Sequence, residues 1–134
     1  MTKKLLLCDD EIHILRAAEF KLSRAGYEVR CARDGEQAWE EIVRDLPDLL
    51  VTDLQMPRLN GLGLARRVRE TPATRHLPVI MLTAKGYELA RDRVIEEMGL
   101  ITLLSKPFSP RELVEVVNRA LAGLPMAAAE EVLP

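Results

Sequence analysis

No apolar run in this chain approaches the roughly 20 residues needed to cross a bilayer. The start MTKKLLLCDD is too short and too soon acidic for a secretory signal. The expectation is a cytoplasmic protein with no membrane partner. An excess of one charge is lacking too. Lys and Arg number 19 against 21 Asp and Glu, and a net charge of −2 gives no electrostatic footprint for direct nucleic-acid binding. Cysteine is scarce. Cys8 and Cys31 lie in apolar segments without CxxC spacing or a matching histidine pair, and read as reduced core residues rather than redox or metal groups. His13 and His76 stand alone, so surface or helix-end positions are their default. Gly61-Leu-Gly63-Leu-Ala-Arg66 imitates a dinucleotide fingerprint but lacks the third glycine and a suitably placed acid after a second strand. Arg66-Arg67-Val68-Arg69 reads as the polar face of a helix, and Trp39 as helix packing. No internal repeat is found.

What is present is a rhythm. The 134 residues, 48% hydrophobic and 30% charged, have the size and composition of one globular domain. Short apolar runs at Lys4–Cys8, Tyr27–Ala32, Asp48–Thr52, Pro78–Thr83 and Leu100–Leu104 alternate with longer amphipathic stretches. Ile12, Leu15, Ala18 and Leu22 share one helical face of the first stretch, and Ala38, Ile42 and Val43 suit the second. Leu62, Leu64, Ala65 and Val68 suit the third, Leu89, Val94, Ile95 and Met98 the fourth. Leu113, Val116, Val117, Ala120 and Leu121 suit the last. Gly26 follows the first predicted helix, Pro47 stops the second, Asn60 caps the third, and Ser109-Pro110 opens the fifth. Strands alternating with helices in this way predict an α/β fold with a parallel sheet covered on both faces and right-handed crossovers.

Asp9 and Asp10 close the first apolar run, and Asp53 closes the third. In one parallel sheet the three carboxylates converge on one edge, where such sheets bind ligands. Carboxylates about 4 Å apart repel by roughly 4 kcal/mol per pair at an effective dielectric near 20. Proton uptake or wide separation of the strands would remove that repulsion without any function. A bound hard cation such as Mg²⁺ would use it. Thr83 ends the fourth run and Lys106 follows the fifth. Taken singly, they read as a helix N-cap and a solvated loop charge. Together the five polar residues leave one carboxylate as nucleophile, two to hold metal, one fixed cation and one hydroxyl donor. That set suits phosphoryl transfer to a carboxylate.

Asp9-Asp10, the segment Asp53-Leu-Gln-Met-Pro57 with Asn60-Gly61, the pair Thr83-Ala84 and Lys106-Pro107-Phe108 resemble the receiver domain of two-component response regulators. The resemblance runs in order and spacing from about Lys3 to Ala122. It implies a receiver domain over residues 3–122 followed by a tail or linker start over 123–134. The implied fold is a flavodoxin-like, doubly wound sheet of order 2-1-3-4-5 with five helices. It implies that Asp53 accepts a phosphoryl group from a histidine kinase or phosphotransfer protein. Asp10 would ligate Mg²⁺ directly, Asp9 directly or through water, and Gln55 through its backbone carbonyl, with Asp53 completing the metal site. Lys106 would pair with a phosphoryl oxygen, with a cis Lys106–Pro107 bond. Thr83 would swing towards the phosphoryl group and report it to the opposite surface. The implied activity is self-catalysed phosphotransfer and autodephosphorylation in a signalling module, with a downstream effector as partner. A phosphorylation-dependent dimer through the face of the fourth helix, fifth strand and fifth helix belongs to the same set of expectations.

Some positions depart from the family pattern. Leu103 stands where the family usually has Tyr or Phe, three residues before the lysine. Gly99-Leu100-Ile101-Thr102 replaces the usual Gly-Ala followed by polar residues. Leu100 and Ile101 read as buried strand residues, with a partner-binding patch as the alternative. Asn60 replaces a usual Asp, which is harmless at a cap. Gln55 and Lys85 lie two residues after Asp53 and Thr83, so they are expected to flank the phosphoryl group where water approaches. Two rival readings remain. An aspartyl phosphatase would use Asp-x-Asp, but Gln55 cannot serve as its general acid. A degenerate receiver would act only as a scaffold, and the presence of all five polar residues argues against it.

Overall fold

The computed structural model describes residues 2–84 and 91–124. Lys85, Leu89 and the tail over 125–134, each given an expectation above, lie outside the described residues. The chain runs β1 (Lys4–Cys8), α1 (Ile12–Arg24), β2 (Glu28–Ala32), α2 (Gly35–Arg44) and β3 (Leu49–Asp53). It continues α3 (Gly61–Glu70), β4 (Val79–Thr83), α4 (Arg91–Met98), β5 (Thr102–Ser105) and α5 (Pro110–Ala122). All strand pairs are parallel, in the order β2-β1-β3-β4-β5. The expected flavodoxin-like sheet is therefore the one observed.

Strand residues alternate between two cores. Leu6, Cys8, Leu50, Met81 and Leu103 pack beneath α2, α3 and α4, with Trp39 partly buried against them. Leu5, Leu7, Leu49, Val51, Ile80 and Leu82 pack beneath α1 and α5. Because β3 and β4 are buried on both faces, their sequences are nearly unbroken apolar runs, not an alternation.

Helix ends are set by local chemistry. At the end of α1, Gly26 adopts φ +103°, and the Gly26 and Tyr27 amides bond back to the Ser23 and Leu22 carbonyls. A side chain at that φ would be strained, so glycine stops the helix there. Asp34, Asn60 and Ser109 accept from the amides of Gln37, Gly63 and Glu112, the last within a reciprocal capping box.

Three expectations need correction. The fifth strand begins at Thr102, not Leu100: Gly99 turns at φ +62°, and the Leu100 amide closes α4 by bonding to the Ile95 carbonyl. Leu100 is nevertheless buried and Ile101 half-buried, so Leu100 offers no exposed apolar surface. Tyr27, Asp48 and Pro78 lie outside the strands. Val43 is 64% exposed. It lies five residues after Ala38, about 140° around the helix at 3.6 residues per turn, so it leaves the stripe that Ala38 and Ile42 define.

Candidate functional site

The pairing register builds the acidic edge. Cys8 of β1 lies opposite Thr52 of β3, so the next residues along the strand direction, Asp9 and Asp53, stand side by side at the sheet edge. This is where the strand order reverses, the place at which doubly wound sheets bind ligands. Asp9, Asp10 and Asp53 each offer an oxygen to one point, all within 4.8 Å of one another. Asp9 and Asp53 are buried, and Asp10 is exposed.

Asp9 is held from several directions. Its amide donates to the Ala32 carbonyl at 3.2 Å, and its Oδ1 accepts from the Glu11 amide at 2.9 Å. Among the described residues its buried Oδ2 has no hydrogen-bond partner, although Lys106 Nζ stands 3.0 Å away. The ammonium is within ion-pair distance but misaligned for a hydrogen bond. Burial raises the Asp9 pKa to about 6; the Glu11 amide and Lys106 oppose that rise, and the Asp53 charge adds to it.

Lys106 enters over the end of the neighbouring strand. Its amide donates to the Thr83 carbonyl at 2.7 Å. Its ammonium donates to Glu11 Oε1 at 2.7 Å and to Asp53 Oδ2 at 3.2 Å. Burial disfavours the ammonium, but the Glu11 hydrogen bond and the nearby Asp9 and Asp53 charges outweigh it and hold the pKa well above the ordinary lysine value. The Lys106–Pro107 bond is cis.

Thr83 shares this edge, but its hydroxyl donates to the Ala84 carbonyl at 2.9 Å. Gln55 is exposed, and its amide makes a long 3.4 Å bond to Asp53 Oδ1. Together Asp10, Glu11, Asp53, Gln55, Ala84 and Lys106 line an open cleft of about 250 Å³. Leu103 does not reach this cleft; it is buried in the core beneath α4. Burial pushes the thiols of Cys8 and Cys31 up to about 12, and both are free, in keeping with unreactive packing residues. His13 and His76 are exposed.

The loop after Asp53 is packed closely on the start of α2. A Cβ on Gly35 would collide with the Leu59 carbonyl, and one on Gly61 with the Asp53 carbonyl. Arg58 turns this loop at φ +70°. Cys8 Sγ, one residue before Asp9, lies 3.0 Å from Met56 Sδ and 3.4 Å from the Asp34 carbonyl. Gly35 and Glu11 were not singled out in the sequence. Glu11 carried a signal, as the third consecutive acid at a strand end. Gly35 carried only its place after a capping aspartate.

The donor set fits a hard divalent cation. It supplies only oxygens, and the unpartnered Asp9 Oδ2 is a buried acceptor facing the cluster. Fold and edge thus define a doubly wound α/β domain with an acidic, lysine-containing cleft at its switch point. The chain belongs to the response regulator receiver domain family, whose profile matches residues 5–118. It is 38% identical over 129 residues to the alkaline phosphatase synthesis transcriptional regulatory protein PhoP of Bacillus subtilis, a match covering 96% of this chain and 52% of that protein. The chain thus spans about half the length of that relative. Among solved structures, a response regulator from Chloroflexus aurantiacus is 42% identical with a TM-score of 0.84, over 91% of this chain and 99% of that one. The chemotaxis response regulator CheY4 of Vibrio cholerae is 28% identical with a TM-score of 0.82, over 89% and 98% of the two chains. Among the described residues no helix is long and apolar enough to cross a membrane.

Proposed function

We propose that this receiver domain, extending over residues 3–122, accepts a phosphoryl group on Asp53 from the phosphohistidine of a histidine kinase or phosphotransfer protein. A carboxylate oxygen of Asp53 forms the new O–P bond, the P–N bond of the donor breaks, and its electron pair leaves with the imidazole nitrogen. Asp9, Asp10, Asp53 and the Gln55 backbone carbonyl would hold Mg²⁺. When bound, Mg²⁺ neutralises charge on the phosphoryl oxygens and orients them for in-line transfer. Lys106 pairs with a phosphoryl oxygen. The Thr83 hydroxyl leaves the Ala84 carbonyl for another phosphoryl oxygen, and the face of α4, β5 and α5 changes its affinity for a downstream partner or a second copy of the domain. Hydrolysis returns Asp53 to the carboxylate and releases inorganic phosphate.

One observation carries this reading. Three carboxylates, Asp9, Asp10 and Asp53, gather at one edge, and among the described residues Lys106 pairs with two of them, Asp9 and Asp53. Intact mass after incubation with a small acyl phosphate tests it. Wild type should gain one phosphoryl group only with Mg²⁺, and Asp53→Asn none at that position. Undiminished labelling of Asp53→Asn would move the acceptor elsewhere.

A further inference from the structure

Glu11 holds the Lys106 ammonium more closely than either buried aspartate does. The distance is 2.7 Å, against 3.0 Å to Asp9 and 3.2 Å to Asp53. Nothing in the packing forces this contact. Glu11 is the N-cap residue of α1, yet its side chain makes no cap bond. It is 59% exposed and free to point into water, but it reaches a lysine 95 residues further along the chain. It also forms part of the cleft wall beside Asp10 and Asp53.

An ammonium has three N–H donors, and here it is already engaged by three carboxylates, two through hydrogen bonds and Asp9 through charge. A phosphoryl group adds nearly two negative charges and three strong acceptors. To bind, it must take Lys106 from Glu11, and it must approach the Glu11 charge as well. We propose that Glu11 is a positioning residue that holds Lys106 in a resting place and so restrains entry of the phosphoryl donor. This rests on Asp53 being the acceptor. Glu11 acts through Lys106 and through its own charge, not by touching the reacting atoms.

Removal of the charge should therefore make the site a better acceptor. Loss of an ordinary structural contact would not. Glu11→Gln keeps the size and an acceptor oxygen. Since Glu11 is solvent-accessible, the gain is bounded at about two- to fivefold, as for an exposed ion pair. The experiment measures labelling of the full chain by acetyl phosphate at saturating Mg²⁺, over a range of donor concentrations. Glu36→Gln is the control: Glu36 pairs with Arg67 at 3.6 Å, away from the cleft, and its loss changes net charge equally. The expected result is faster labelling of Glu11→Gln through a lower apparent KM for the donor, with the limiting rate little changed and Glu36→Gln matching wild type. Binding of beryllofluoride, which breaks no bond, should tighten by a similar factor. An unchanged or slower Glu11→Gln would overturn the proposal while leaving the acceptor assignment intact. Equal acceleration by Glu36→Gln would also overturn it, in favour of net charge. A wild type that takes no label at Asp53 would overturn both readings.

Discussion

Lys106 Nζ stands 3.2 Å from Asp53 Oδ2, across 53 residues of chain and across the end of a strand that separates their own. β4 lies between β3 and β5, and its last residue, Thr83, accepts the Lys106 amide. The lysine is thereby carried over the sheet edge towards the carboxylates. Four acidic side chains, those of Asp9, Asp10, Glu11 and Asp53, share this edge with that one cation.

Lys106→Met should therefore be costly without metal. It would leave the buried Asp9 and Asp53 without their cation, and breaking a buried pair costs about 3 kcal/mol or more. Chemical denaturation with chelator should show a lower midpoint, and Mg²⁺ should recover part of the loss. An unchanged midpoint in chelator would show that water already compensates the carboxylates.

Asp53→Asn should have the opposite sign. It removes one member of the acidic cluster and relieves the charge that helps push up Asp9, at the expense of the 3.2 Å contact with Lys106. The metal-free melting temperature should rise by a few degrees, about 3–5 °C per kcal/mol for a domain of this size. The gain from Mg²⁺, about 2.7 kcal/mol at a hundredfold excess over Kd for a ligand that binds only the folded state, should shrink. Equal, metal-insensitive melting of the two proteins would mean that the three carboxylates do not act as one site.

The pH dependence of the metal-free protein follows from Asp9. Its pKa rises from 3.8 to about 6 on folding, so between those values the folded state binds more protons than the unfolded one. The stability from that proton is fully present below 3.8 and is lost as pH rises through about 6. With chelator, the melting temperature should fall between pH 5 and pH 7, and Asp9→Asn should flatten that slope. Saturating Mg²⁺ favours the ionised form and should remove it too. A chelated wild type without the slope would place Asp9 in a better-solvated setting than its burial indicates.

The sequence made the architecture legible because both faces of the sheet had to be covered. Buried parallel strands leave unbroken apolar runs, and one-sided helices leave stripes such as Leu15, Ala18 and Leu22. That Asp9, Asp10, Asp53, Thr83 and Lys106 lie at one sheet edge was legible because each ends or follows such a run. Boundaries were less so: at Leu100 a hydrophobic residue serves the end of α4 rather than a strand, and composition does not separate the two uses. The hydroxyl direction of Thr83 and the reach of Glu11 to Lys106 depend on side-chain torsions and long-range geometry, which leave no local pattern. Gly35 was invisible for another reason. Its meaning lies in what touches it.

That contact gives the last prediction. A methyl group on Gly35 would fall on the backbone carbonyl and Cβ of Leu59, so no flexible side chain can move aside. Either the first turn of α2 or the loop from Asp53 to Gly61 must shift. The same turn contacts the sulfur of Cys8 through the Asp34 carbonyl, and that sulfur touches Met56 in the loop. A displacement would thus reach both Asp9, next to Cys8, and Gln55, next to Met56. Gly35→Ala should lose about 1–3 kcal/mol through overpacking. If the loop is what shifts, Mg²⁺ affinity should fall about 10- to 100-fold, as when groups supporting metal ligands are lost. Gly26→Ala is the comparison: it meets nothing within 4 Å, but its φ of +103° makes it costly through backbone strain alone. Calorimetric Mg²⁺ titration of both variants separates lost stability from lost positioning. Weakened binding in Gly35→Ala with unchanged binding in Gly26→Ala is the expected pattern. Equal affinities in the two would mean that the loop from Asp53 to Gly61 holds its place without Gly35.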